Sequence, residues 1–171
     1  MQDNTVYVVM GVSGSGKTTV GQLLAERLGL PFHDADDFHS AANIAKMRGG
    51  TPLTDEDRKG WLDELAASVR EWSKADGAVL ACSALKEKYR QQFNQAATHP
   101  IQWVFLDGSE VLLSERLRAR TGHYMTQQML ASQLNTLEPP MYGLRLQLAQ
   151  DLTPQDLVNQ IVAASSAKQP A

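Results

Sequence analysis

The chain has 171 residues, 43% hydrophobic and 20% charged, a globular balance that argues against wholesale disorder and against a membrane protein. Its 16 basic and 19 acidic side chains give a formal net charge of -3, which disfavours nucleic acid or an anionic membrane as partner and points to a small molecule. The single cysteine, Cys82, excludes an internal disulfide framework and a cysteine-rich zinc site.

No linker rich in Pro, Gly or Ser divides the sequence, so one domain over 1–171 is expected. Val6-Tyr7-Val8-Val9-Met10 is β-branched and aromatic and is bounded by Gly11, as in a buried strand. The run is too short for a signal sequence and has no basic segment before it, so a cytoplasmic location is expected. Residues 17–28 switch to helical spacing, with Val20, Leu24 and Leu28 on one face and Gly29 as the stop. A short extended piece near Pro31-Phe32-His33 leads into HDADDFH, residues 33–39, and a helix is expected over 41–47, ending at Gly49-Gly50. Thr54 then places a capping hydroxyl ahead of Asp55, Glu56 and Asp57, and Leu62, Leu65, Val69 and Trp72 carry an apolar stripe to about Lys74.

Residues 78–82 and 101–106 have the length and composition of strands, each followed by a helical segment, over roughly 86–95 and 110–120. Leu144, Leu146 and Leu148 alternate as in an edge strand, 157–164 suits a terminal helix, and a frayed tail is expected over about 165–171. Strand and helix in alternation predict an α/β fold, a parallel sheet flanked by helices with ligands beyond the carboxyl ends of its strands.

Gly11-Val12-Ser13-Gly14-Ser15-Gly16-Lys17-Thr18 fits G-x-x-x-x-G-K-S/T between a predicted strand and a predicted helix, the context the motif requires. Its glycines let the backbone wrap closely around phosphates with N–H groups inward, and the helix N-terminus adds positive potential. Lys17 would reach the β and γ phosphates, Thr18 a magnesium ion, and Thr19 completes the expected ATP-binding set. A GTPase switch is disfavoured, because N-K-x-D is missing and Asp57-Arg58-Lys59-Gly60 matches D-x-x-G only at a predicted helix start. The length also leaves little room for the accessory domains of a motor.

Asp34 and Asp36 follow the second strand, at the end that should face the γ-phosphate. On an extended backbone, positions i and i+2 point the same way, so these carboxylates can share one site while Asp37 points elsewhere. Asp34 is assigned to hydrated magnesium and Asp36 to the acceptor hydroxyl, where a base removes the proton as the oxygen attacks. The competing reading is a solvated acidic turn with a helix cap at Asp37 or Ser40, and it is preferred for Asp37 and His33.

GVSGSGKTT (11–19), DADDFH with NIAKM (34–39, 43–47), PLTDEDR followed by Trp61 (52–58), CSALKEKYR (82–90), Arg118 with RTGHY (120–124) and SQLNTLE (132–138) occur together. In these segments the sequence resembles the gluconate kinase (gluconokinase) family of P-loop small-molecule kinases, over roughly residues 6–140. The resemblance implies a three-layer P-loop kinase fold with a mobile lid. It also implies transfer of the γ-phosphate of ATP to the 6-hydroxyl of D-gluconate, with magnesium and as a homodimer. Ala35 in place of glycine, Gly60 in place of proline, and Met141-Tyr142-Gly143 where an acidic pair is common depart from the family pattern.

A polyhydroxylated carboxylate needs cationic anchors and hydrogen-bonding groups, and the matched segments supply His39, Lys46, Arg48, Arg58, Ser83, Lys86 and Arg90. Arg58 is the first choice for a two-pronged grip on the carboxylate and Arg90 the second, with helix-surface ion pairing as the alternative. Residues 38–75 would form the substrate-binding helical segment. Arg116 and Arg120, four apart on one helix face, resemble a lid hinge, the lid spanning about 121–136. Closing over the phosphates, such arginines contribute on the order of 4–7 kcal/mol, the alternative being a basic helix end at the negative pole of its dipole. Shikimate-like and nucleotide kinases of the same fold, and a nucleotide-binding regulator without turnover, are the alternative functions.

Overall fold

The computed structural model describes residues 4–120 and 126–168. Strand β1 (Val6–Met10) is buried along its whole length, which accounts for its continuous apolar run in place of an alternating one. Then come helix α1 (Lys17–Leu28), β2 (Phe32–Asp34), a 3-10 turn (Ala35–Phe38), α2 (Ala41–Arg48), α3 (Asp55–Lys74), β3 (Ala78–Ala81) and α4 (Glu87–Ala96). The chain continues through β4 (Gln102–Asp107), α5 (Glu110–Ala119), α6 (Gln127–Thr136), β5 (Leu144–Gln147) and α7 (Pro154–Ala167).

The strands run parallel in the order β2-β3-β1-β4-β5. Alternation along β1 sends successive side chains to opposite layers. Val8 and Met10 meet Leu65 and Val69 of α3 and Phe93 of α4, whereas Tyr7 and Val9 meet Leu24 of α1 and Val158 and Ile161 of α7. The result is the three-layer α/β arrangement expected from the alternation of elements. A third cluster at the carboxyl end of the sheet, including Met47, Leu53, Leu117 and Leu130, gathers α2, α5 and α6 around Val12 of the β1–α1 loop.

Helix α3 begins as its sequence predicts: Thr54 Oγ1 accepts from the Asp57 N–H at 3.1 Å and the Asp57 carboxylate accepts from the Thr54 N–H at 2.8 Å, a reciprocal capping box. Three expectations need correction. Residues 35–38 form a 3-10 turn, so the argument from an extended backbone fails for Asp36. Helix α6 was hidden by its Gln-rich surface, although Met129 and Leu130 supply a buried pair. The tail is helical to Ala167, with the Ser165 and Ser166 hydroxyls bonded to the carbonyls of Ile161 and Val162. Of the expected lid, 121–125 lie outside the described residues, and so do 169–171 of the tail. Among the described residues, no helix is long and apolar enough to cross a membrane.

Candidate active site

The loops after β1, β2 and β3 converge on one pocket at the carboxyl end of the sheet. Gly11 opens the first of them with φ 147°, and a Cβ there would meet the Leu106 carbonyl oxygen at 2.8 Å, so only glycine fits. Gly16, in left-handed conformation, starts α1 without a side-chain cap, which leaves the amides of the first turn directed at the pocket as an anion cradle. The Ser15 hydroxyl, buried beneath the loop, and Lys17 Nζ both donate to the Val12 carbonyl, at 2.7 and 3.2 Å. Burial lowers the pKa of the Lys17 ammonium, with the nearby Asp36 charge the largest influence opposing it.

Ser13, Gly14, Gly16, Lys17 and Thr18 line the pocket. Gly11, Val12 and Ser15 are buried behind it, and Thr19 is exposed on α1 outside its wall.

The acidic stretch forms the opposite wall. Thr18 Oγ1 donates to one carboxylate oxygen of Asp34 at 2.8 Å, and the other accepts from the Asp36 N–H at 2.9 Å. An adjacent hydroxyl and carboxylate are hard oxygen donors of the kind magnesium takes, with water and phosphate completing its shell. Asp36 lines the same pocket, brought there by the turn and not by strand alternation. The turn itself is tied down from α3: Trp61 Nε1 donates to the Ala35 carbonyl at 2.7 Å. The Ala35 methyl is packed in the core, which gives the departure from glycine a packing role. Asp37 and His33 are not in that pocket wall; they line a neighbouring cleft with Thr18 and Asp34, His33 stacked on Trp72 with ring centroids 4.2 Å apart.

His39 lines the pocket, stacked on Trp61 at 4.2 Å and 12°. Burial, reinforced by the charge of Arg58, pushes its pKa down to about 4, so the imidazole is neutral at neutral pH. Arg58 and Ser83 also line the pocket. Arg58 Nη1 donates to the Tyr89 hydroxyl at 3.4 Å, and that hydroxyl donates in turn to Asp55.

The other cations are placed differently from expectation. Lys86, with Lys88, pairs with Asp55 at 2.9 and 2.6 Å, and these donors together with Tyr89 hold the Asp55 carboxyl well below the usual carboxylate range. Lys46 pairs with Asp57 at 2.6 Å, which with Thr54 brings the Asp57 pKa down to about 2. Lys46, Lys86 and the exposed Arg48 are not in the pocket wall. Arg90 is 0% exposed. It donates from Nη1 to the Ala84 carbonyl at 2.7 Å and from Nη2 to the Glu138 carbonyl at 2.6 Å, with Nε on Glu87 and Tyr142. Arg90 therefore clasps the β3–α4 loop, where Ala84 has φ 45°, and is not available to a ligand carboxylate.

Arg120, at the end of α5, lines the pocket, and Arg116 Nη1 reaches the Ser15 carbonyl at 3.5 Å. Gln133 of α6 was missed: its side-chain oxygen accepts from the Ser13 N–H at 2.8 Å and its amide nitrogen donates to the Ser13 hydroxyl at 3.3 Å. SQLNTLE held the signal, but no spacing rule connects it to a loop so distant in the chain. In the same segment the Glu138 carboxylate accepts from the Glu87 N–H at 3.0 Å, capping α4.

A gluconokinase from Gluconobacter oxydans is 52% identical to this chain over 134 residues, which cover 78% of this chain and 75% of that protein. The chain belongs to the gluconokinase family. The thermosensitive gluconokinase of Escherichia coli is 42% identical over 135 residues, 78% of this chain and 72% of the other. The crystal structure of a gluconokinase from Sinorhizobium meliloti superposes with a TM-score of 0.86 at 39% identity, covering 98% of this chain and 94% of that one. A family model described as shikimate kinase matches residues 13–164. With the phosphate loop and the three-layer fold, membership of the gluconokinase family makes the protein an ATP-dependent kinase.

Proposed function

We propose that this gluconokinase-family protein transfers the γ-phosphate of ATP to the 6-hydroxyl of D-gluconate, giving 6-phospho-D-gluconate and ADP. The observation that carries the reading is one pocket lined by Lys17 and Thr18 of the phosphate loop, by Asp34 and Asp36, and by His39, Arg58 and Ser83. A phosphate cradle and an acceptor site share a wall, as direct transfer in line requires.

In this reading the loop amides and Lys17 hold the β and γ phosphates. Asp36 orients O6 and takes its proton as O6 bonds to phosphorus and the bond to the bridging oxygen breaks, the electron pair leaving with ADP. Arg116 and Arg120 neutralise charge on the transferring group. Arg58 holds the gluconate carboxylate, and His39 and Ser83 bond to its hydroxyls. Lys46 and Lys86 act at one remove, holding Asp57 and Asp55 at the start of α3. Thr18 and Asp34 would hold Mg2+, which, when bound, spreads the negative charge of the phosphates. A phosphate that bonds to the Ser13 N–H displaces the Gln133 side chain from it as nucleotide enters.

A cytoplasmic, homodimeric enzyme acting on a small molecule, with no nucleic acid or membrane partner, completes the proposal, and light scattering of the purified protein tests the dimer. Phosphorylation of shikimate is the second reading, favoured by the family model over 13–164. Against it stands 52% identity to a protein named gluconokinase. Incubation with ATP, magnesium and carbon-labelled gluconate should yield phosphorus–carbon coupling at C6. Coupling at another carbon, or unreacted gluconate, contradicts the proposal.

A further inference from the structure

Asn43 sits in the first turn of α2, 8% exposed, between His39 and the start of α3. Its Nδ2 lies 2.9 Å from the backbone carbonyl oxygen of Asp57 and 3.4 Å from Nδ1 of His39. A carbonyl oxygen only accepts hydrogen bonds, so the amide atom facing it is the NH2 group. One hydrogen of that group is taken by Asp57, and the other is presented to His39 Nδ1, which receives it with a lone pair. A neutral imidazole that accepts at Nδ1 carries its own hydrogen on Nε2. Trp61, stacked on the same ring, holds its plane, and Asn43 sets which nitrogen donates.

We propose that Asn43 is a positioning residue that fixes His39 as the Nε2–H tautomer, so that His39 meets the substrate as a neutral hydrogen-bond donor and not as a base. The consequence is a division of labour within one pocket. An Nε2 that already bears hydrogen cannot take the proton of an attacking hydroxyl, which leaves that step to Asp36. It donates instead to a lone pair on a ligand hydroxyl or carboxylate oxygen. Arg58 supplies the positive charge beside it, and a neutral imidazole sets no second cation against that guanidinium. The low pKa of His39, about 4, agrees with this arrangement. The part concerning substrate rests on the gluconate reading, whereas the tautomer does not.

Long-range proton–nitrogen correlation spectra of the nitrogen-labelled full-length protein, with His39→Gln to assign the ring, read the tautomer without substrate. Near neutral pH the wild-type ring should show hydrogen on Nε2 alone. Asn43→Asp, nearly isosteric, turns an acceptor toward Nδ1 and should move hydrogen to that nitrogen. Its KM for gluconate should rise by about tenfold or more, with KM for ATP within about twofold of wild type. Asn43→Ala, should the Asp variant not fold, should let an Nδ1–H population appear. Hydrogen on Nδ1 in the wild type, or a single unchanged tautomer in both variants, overturns the proposal. If gluconate proves not to be a substrate, the spectra still decide the tautomer.

Discussion

Trp61 donates its indole N–H to the backbone carbonyl of Ala35 across 2.7 Å, and so hangs the turn that carries Asp34 and Asp36 on the buried face of α3. The same ring supports His39, so one side chain of the sheet-covering layer holds both the acidic wall and the imidazole. Trp61→Phe keeps an aromatic ring but leaves a carbonyl without its donor, at a cost of about 1–3 kcal/mol. Urea unfolding should show that loss, and kcat should fall more than ATP affinity, because the phosphate loop does not depend on the bond. An unchanged midpoint and kcat would show that the turn stands without α3.

Asp36→Asn tests the acceptor side of the pocket. Asparagine keeps the shape and cannot take a proton, so phosphoryl transfer should be abolished while ATP binding, followed by titration calorimetry, stays near wild type. Turnover within about threefold of wild type would remove Asp36 from that role.

Arg58 and Arg90 separate binding from folding. Arg58→Gln should raise KM for gluconate by about tenfold or more, the loss expected of a charge-assisted pair, with a melting temperature near wild type. Arg90→Met strips the Ala84 and Glu138 carbonyls of buried donors and should destabilise the protein by about 2–4 kcal/mol. A gluconate KM that rises for Arg90→Met in fully folded protein, and not for Arg58→Gln, would reverse the two assignments.

His39 makes stability depend on pH. Its folded pKa of about 4 lies below the ordinary 6.5, so between those values the unfolded chain binds the proton more readily and stability falls as pH is lowered. Above pH 6.5 the contribution is complete, and below about 4 no more is lost. His33 is shifted the same way by burial, so the contribution of His39 is read as a difference. Between pH 7 and pH 5 the wild type should lose more unfolding free energy than His39→Gln, by denaturant titration. Equal losses would place a freely titrating imidazole at this position, and a smaller loss in the wild type a charged one.

The features legible in the sequence were those with local causes. The β1–α1 unit could be read because the phosphate motif, the apolar run before it and Gly29 after it lie in one stretch, and α3 because Thr54 and Asp57 cap each other within one turn. Asp34 and Asp36 line one pocket, but the strand-alternation argument for pairing them holds only up to Asp34, where β2 ends. Arg90 misleads in the sequence because arginine is seldom fully buried and its Nη1 and Nη2 bond to the backbone carbonyls of Ala84 and Glu138, which no residue pattern reveals. Asn43 and Trp61 are similar cases: each acts through a backbone oxygen on another element. Lys46 and Lys86 carry the right charge in the right region, yet they pair with Asp57 and Asp55 and are not in the pocket wall.

The central claim is the identity of the phosphoryl acceptor. ADP release by the purified full-length protein, with ATP and magnesium, should be followed across gluconate, related sugar acids, shikimate and nucleoside monophosphates. Gluconate should be favoured over shikimate and the nucleotides by about a hundredfold or more in kcat/KM, as expected where a charged and hydrogen-bonding site loses its partners with the wrong acceptor. ATP bound but consumed with none of them, or shikimate or a nucleotide preferred to gluconate, would contradict it.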